Sequence, residues 1–373
     1  MATLAIRPQI NNKVFSWAIA KIGVTLDEAE QKYPKIKQWQ TGELSATVNQ
    51  LKDFSNHYHF PFGYFFLKTL PEHNVEEIPF FRSGAENLVS ENENVNETVK
   101  ILKDRQEWLS DYLKNNGADK NPIIGIYKNE KDKEKIINGI RDFLELSENW
   151  YTEVHNSTEA LALLKTKAES KNIIFTFNSV VNNNTHRQIP VKLCRGFCLI
   201  DDYVPFIFIN SADSKSAQLF TLIHELTHVF ISYSAGVGDF GTEPLNDPKE
   251  LFCDDVTANF LVPEKDLLAN KNLSNSELAD FFKVSEVVIL RRKLDCSLIS
   301  RKDFFDAYND LPQYKKKGIG GGNFYKTAGQ RVSPALLRCL KNAMYERTIT
   351  PMEAYRISGL KGDVFTKLTA GDF

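Results

Sequence analysis

Apolar positions recur at helical spacing over 13–22, 26–32, 35–40 and 46–58, so the stretch 1–82 predicts short helices with turns at Gly23, Pro34 and Gly42. The aromatic run FPFGYFFL (60–67) closes it as a packing edge. Helical period returns with high charge over 93–115 and 129–147, interrupted by the breakers Asn115-Asn116-Gly117. Then the period changes. IIFTF (173–177), CRGFCLID (194–201) and PFIFIN (205–210) predict short strands, the last two joined by a tight turn at Asp201–Tyr203. Helices are expected near 213–232 and 248–261, the second stopped by Pro263, with more to about 312. KKKGIGGGN (315–323) is a low-complexity break before a last helical unit, where Thr350-Pro351 supplies an N-cap and first helical residue. The fold class is therefore α+β in four parts: a helical module (1–82), a helical connector (83–169), a mixed core (170–312) and a helical C-terminal module (313–373).

Composition narrows the function classes. Across 373 residues, 46 Lys plus Arg against 48 Asp plus Glu exclude a chain held on nucleic acid by overall positive charge. No apolar run reaches membrane-spanning length, and MATLAIRPQINN lacks the basic-then-apolar order of a secretory signal. Five cysteines without framework spacing fit reduced thiols, so a cytoplasmic protein is expected.

The chemistry is carried by His224-Glu225-Leu226-Thr227-His228, an HExxH. Two histidines four apart project from one helix face about 6 Å apart along the axis, so both imidazoles reach one cation. Glu225 sits roughly 100° around the helix, placed to polarise a water rather than to bind the metal. By chance alone the motif has a probability on the order of one per cent in such a chain, so it is suggestive by itself. Leu219, Leu222, Ile223, Leu226 and Phe230 form a stripe within about 100°, with His224 and His228 at roughly 140° and 180° from its centre, off the apolar face. The alternative on this wheel is a pair of surface histidines.

Glu250 and Asp254 stand one turn apart on the next predicted helix, 22 residues after His228. Glu250 is the third candidate ligand, completing the two-His, one-carboxylate set that suits zinc. Asp254 is placed to accept the free N–H of His224. A solvated acidic face including Asp255 is the bland alternative, and Glu243, in a Gly- and Pro-containing loop, is the competing ligand. Tyr233 and Asn210 are candidate donors to a developing oxyanion by position. Cys253 reads as a small buried hydrophobe. The glycine run 318–322 has neither a preceding strand nor a following GK[ST], so it reads as a linker rather than a phosphate loop.

The run FINSADSKSAQLFTLIHELTHVFI, then SAG, then E-x-x-C-D-x-x-x-x-x-F-L-V-P, resembles the ImmA/IrrE family of zinc metallopeptidases, over roughly residues 170–335. The resemblance implies a zincin-like core whose small mixed sheet, with PFIFIN as its edge strand, lies over the HExxH helix. It also implies His224, His228 and Glu250 as zinc ligands and Glu225 as general base. Val256 stands where that family often has Phe. Trp39-Gln40-Thr41-Gly42-Glu43, Leu51-x-x-Phe54 and FPFGYFFL resemble the XRE-type helix-turn-helix module that often precedes such a core. Here the turn lacks its usual small residue, and Pro34 interrupts the segment that would read DNA. Residues 1–70 carry 8 basic and 5 acidic side chains, and only Lys35, Lys37, Gln38 and Gln40 are placed for base or phosphate contact. A protein-docking or homodimerising module is the expectation there, with DNA binding as the alternative. The functional expectation is a zinc-dependent endopeptidase cutting a regulatory protein of repressor or antitoxin type in a bacterial stress or mobile-element switch. Its alternatives are an antitoxin-like partner of a toxin and a DNA-binding transcriptional regulator; no membrane partner is expected.

Overall fold

The structure is a computed structural model that describes residues 7–22, 25–58, 62–67, 80–81, 93–232, 236–237, 247–311 and 324–370. The chain divides into two compact units, 1–77 with 85–97, and 78–84 with 98–373.

The first unit is helical: α1 (Lys13–Ile22), α2 (Leu26–Lys32), α3 (Ile36–Thr41) and α4 (Val48–Tyr58), followed by a 3₁₀ turn over Phe62–Phe66. A capping box starts α2: Thr25 Oγ1 accepts from the Glu28 N–H at 3.2 Å and the Glu28 carboxylate accepts from the Thr25 N–H at 2.8 Å. Gly42 ends α3 at φ +80°, where a Cβ would strike the Asn12 amide. Buried Phe15, Trp39, Phe54 and Phe65 form the core, Phe15 meeting Phe54 edge-to-face at 5.9 Å.

The second unit begins with β1 (Phe80–Phe81) and α5 (Glu93–Asn115, in this unit from Thr98). Then come α6 (Lys133–Phe143), α7 (Ser157–Glu169), β2 (Ile174–Asn178), a β3 (Val180–Val181) and β4 (Asn184–Gln188) hairpin, β5 (Gly196–Leu199) and β6 (Phe206–Asn210). After these run α8 (Lys215–Ile231), β7 (Gly236–Val237) and α9 (Pro248–Leu261). Helices α10 (Glu264–Ala269), α11 (Asn275–Phe282), α12 (Glu286–Asp295) and α13 (Arg301–Asp310) follow. The last are α14 (Phe324–Val332), α15 (Pro334–Tyr345), α16 (Pro351–Ser358) and α17 (Gly362–Ala370). The break at 315–323 lies outside the described residues.

The main sheet has the order β1-β7-β5-β6-β2, with β6 parallel to β2 and antiparallel to β5. PFIFIN is therefore not an edge strand. It is an interior one, and its unbroken apolar run is the reason: every residue of β6 is buried, as strands covered on both faces require. On its other side β5 pairs with β7 at Gly196 and Phe197. Further along β5, the Gln106 amide of α5 donates to the carbonyls of Leu199 at 2.8 Å and Val204 at 3.0 Å. The β5–β6 turn is built by Asp201, whose carboxylate accepts from the N–H groups of Tyr203 and Val204 and from the Ser110 hydroxyl of α5.

The expected connector and C-terminal module do not stand apart from the core. Helices α6 and α7 pack on α8, and α14 packs on β2. The Arg105 guanidinium of α5 is buried and donates to the carbonyls of Ile357 at 3.0 Å and Ser358 at 2.8 Å, where α16 ends.

Candidate metal centre

Ser214 caps α8, accepting from the Ala217 N–H at 3.2 Å, and the helix ends at Ser232 in a left-handed conformation. Every residue from 218 to 231 is buried, because α6, α7 and α9 and strands β5 and β6 surround the helix. Contrary to the amphipathic wheel, α8 has no solvent face, and the histidine side, opposite the expected stripe, lies against α9. Asp247 caps α9 by accepting from the N–H groups of Lys249 and Glu250, with Pro248 at the first helical position. This start sets the phase that turns Glu250 and Cys253 inward; Glu250 is 1% exposed, so it is not part of a wet acidic face. Asp255 is half-buried and pairs with Lys133 at 3.0 Å.

His224 and His228 bring their Nε2 atoms to 2.9 Å of each other. Glu250 Oε2 lies 3.2 Å from the first and Oε1 lies 3.2 Å from the second. Two imidazole nitrogens and a carboxylate that bind one ion tetrahedrally with bonds of 2.0–2.1 Å stand about 3.3 Å apart, close to this triangle. Among the described residues this is the one cluster of three His, Cys, Asp or Glu that could hold a metal ion. Asp254 Oδ1 is 2.9 Å from His224 Nδ1, an ion-pair distance, although neither atom makes a hydrogen bond of good geometry.

Electrostatics within the cluster follow from burial and contact. Burial alone would raise the Glu250 carboxyl, but its contacts with His224 and His228 hold it down at about 2. Burial also opposes the charged form of His224, yet Asp254 and Glu250 raise its pKa overall. His228 has its pKa lowered, chiefly by burial.

Glu225 is fully buried, neither of its oxygens makes a hydrogen bond, and burial pushes its pKa well above the usual carboxylate range. It faces β5, where the Cys198 thiol contacts the carboxyl and Gly196 lets the strand pass. A Cβ on Gly196 would stand 2.4 Å from Thr221 Cγ2, 2.9 Å from the Phe208 carbonyl and 3.1 Å from Glu225 Oε1. The sequence reading missed Gly196, Thr221 and Cys198; a glycine inside the apolar run RGFCLI was the available signal for a close approach. Cys253 is more than a buried hydrophobe, since its Sγ lies 3.6 Å from His228 Nδ1.

Asn210 is not free to act as a donor. Its amide gives one hydrogen to Ile189 O at 2.9 Å and the other to Cys194 O at 2.8 Å, while its oxygen accepts from the Ala212 N–H. It ties the end of β6 to the loop before β5. Tyr233 and Glu243 lie outside the described residues. In the first unit Lys35, Lys37 and Gln38 are exposed and Gln40 is half-buried on or beside α3. Lys37 is engaged by Glu30 at 2.6 Å and Asp27 at 3.7 Å.

An HExxH helix crossed by a second helix carrying an inward glutamate, under a small mixed sheet, defines a metallopeptidase-like core. Residues 177–293 match the family model of Peptidase M78, the IrrE N-terminal-like domain. The match supports the ImmA/IrrE resemblance and suggests a metallopeptidase. No curated protein and no solved structure matches the chain. No described helix is long and apolar enough to cross a membrane.

Proposed function

We propose that this protein is a zinc-dependent endopeptidase that cleaves a specific regulatory protein, of repressor or antitoxin type, in a bacterial stress or mobile-element switch. The observation that carries the reading is the triangle of His224, His228 and Glu250 donor atoms with the buried Glu225 one residue along α8. His224, His228 and Glu250 would hold the ion, their Nε2 and carboxylate atoms being the ones that converge. Zinc bound there would supply Lewis-acid activation of a water and of the scissile carbonyl. Glu225 takes the proton from the attacking water and returns it to the leaving nitrogen, a role suited to a carboxyl whose burial raises its proton affinity. Asp254 steadies the His224 ring. Because β6 is interior and β5 already pairs with β7, an extended substrate does not find its partner strand in PFIFIN.

A second reading, an antitoxin-type regulator that binds a toxin through the N-terminal unit, draws on the charge pattern of α3. Lys37 is spent on Glu30 and Asp27, which weakens a DNA-reading surface and favours protein docking. One experiment separates the two. Tagged wild type and Glu225→Gln are expressed in the native host and their bound proteins compared by mass spectrometry. Loss of the base leaves zinc binding intact and slows hydrolysis about 10²–10⁴-fold, so the variant retains a protein that the wild type cuts. One protein held intact and equally by both would instead favour the antitoxin-type reading.

A further inference from the structure

We infer that Cys253 is a positioning residue for His228: its sulfur accepts the Nδ1–H of that ring and so fixes the tautomer that leaves Nε2 free for the metal. The inference rests on the metal reading of the cluster and adds a residue which that reading does not use. His228 Nε2 faces His224 Nε2 at 2.9 Å and Glu250 Oε1 at 3.2 Å, so it is the atom that would bind an ion, and it must carry a lone pair to do so. The ring proton then sits on Nδ1. Cys253 Sγ lies 3.6 Å from that nitrogen, within reach of an N–H···S hydrogen bond, and both side chains are fully buried.

The arrangement follows from helix spacing. Glu250 and Cys253 are three apart on α9 and share a face, so the turn that delivers the carboxylate to the Nε2 side of His228 delivers the thiol to its Nδ1 side. The two histidines are thus backed by different groups, a carboxylate behind His224 and a sulfur behind His228. Sulfur is the weaker acceptor, but it is held by a packed helix and cannot swing to water.

The test uses the full-length protein, with zinc affinity read by competition against a chromophoric chelator and the His228 tautomer read by ¹⁵N NMR of the metal-free protein. In wild type the proton is expected on Nδ1 before any zinc is added. Cys253→Ala is expected to weaken zinc about 10–100-fold and to mix the tautomers, with Cys253→Ser nearer to wild type. His228→Ala is the control that should abolish binding. If wild type and His228→Ala both fail to bind zinc, the metal reading falls and this inference with it. If wild type binds and His228→Ala does not, an unchanged affinity in Cys253→Ala overturns the inference alone. A metal-free wild type with its His228 proton on Nε2 overturns it as well, without depending on how any variant folds.

Discussion

At the scale of single residues, the site depends on one absent side chain as much as on those present. Gly196 lets β5 approach α8 so closely that a methyl group there meets the Phe208 backbone, the Thr221 side chain and Glu225 Oε1 at once. The backbone oxygen cannot yield as a flexible side chain would. Gly196→Ala is therefore expected to cost about 1–3 kcal/mol by overpacking, seen as a lower denaturant midpoint at unchanged slope. Turnover should fall further than stability explains, because the displaced carboxyl is the proposed base, while zinc affinity stays near wild type. A variant with full stability and full turnover would show that the strand has room to move. The HExxH and the Glu250–Asp254 pair were legible in the sequence because each lies within one helical turn, where spacing alone sets the shared face. Gly196 beside Glu225 and Cys253 beside His228 were not, since packing between elements creates both approaches.

At the scale of elements, helix positions were legible wherever the apolar period was clean, and α1, α2, α5 and α9 fall where the pattern placed them. The pattern failed where burial was complete. Helix α8 is enclosed on all sides and β6 is covered on both faces, so a reading that assumes one wet face misassigned both. Helix α7 was missed as well, although Asn156 caps it by accepting from the N–H groups of Thr158 and Glu159. The status of α14 to α17 turns on Arg105. Burial lowers its pKa only to about 10, so it stays charged, and the carbonyls it meets close α16. The negative end of that helix answers the charge in place of a carboxylate. Arg105→Leu should leave those carbonyls unsatisfied at a cost of about 1–3 kcal/mol, measured by urea unfolding. Truncation after Asp310 should cost about 3–5 kcal/mol or more by stranding the charge. A truncated protein as stable as the full chain, with raised turnover, would mean instead that these helices only shield the cleft.

At the scale of the whole molecule, the proposed ion binds helices that form the centre of a unit running from residue 98 to 373, so metal and fold stability are linked. An ion that binds only the folded state at a free concentration 100 times its Kd stabilises by about 2.7 kcal/mol, or on the order of 5 °C in Tm for a unit of this size. The pH dependence has a definite sign. Without metal, His224 has a raised pKa, so it adds stability below the unfolded imidazole value near ~6.5 and loses it as pH rises through its folded pKa. His228 has a lowered pKa and acts oppositely, destabilising the fold as pH falls below that value. The two windows lie on opposite sides of ~6.5, so in the metal-free protein this cluster supports the fold best near that pH and less on either side. With zinc, both imidazoles must be neutral, while Glu250, held at about 2, is ionised throughout. Protons therefore compete with zinc at the histidines first. The Tm gap between zinc-loaded and chelator-treated protein should be near zero at about pH 5 and widen as pH rises past ~6.5, because the raised pKa of His224 keeps its proton in competition with zinc above that value. A gap of constant width across that range would place the ion somewhere other than on His224 and His228.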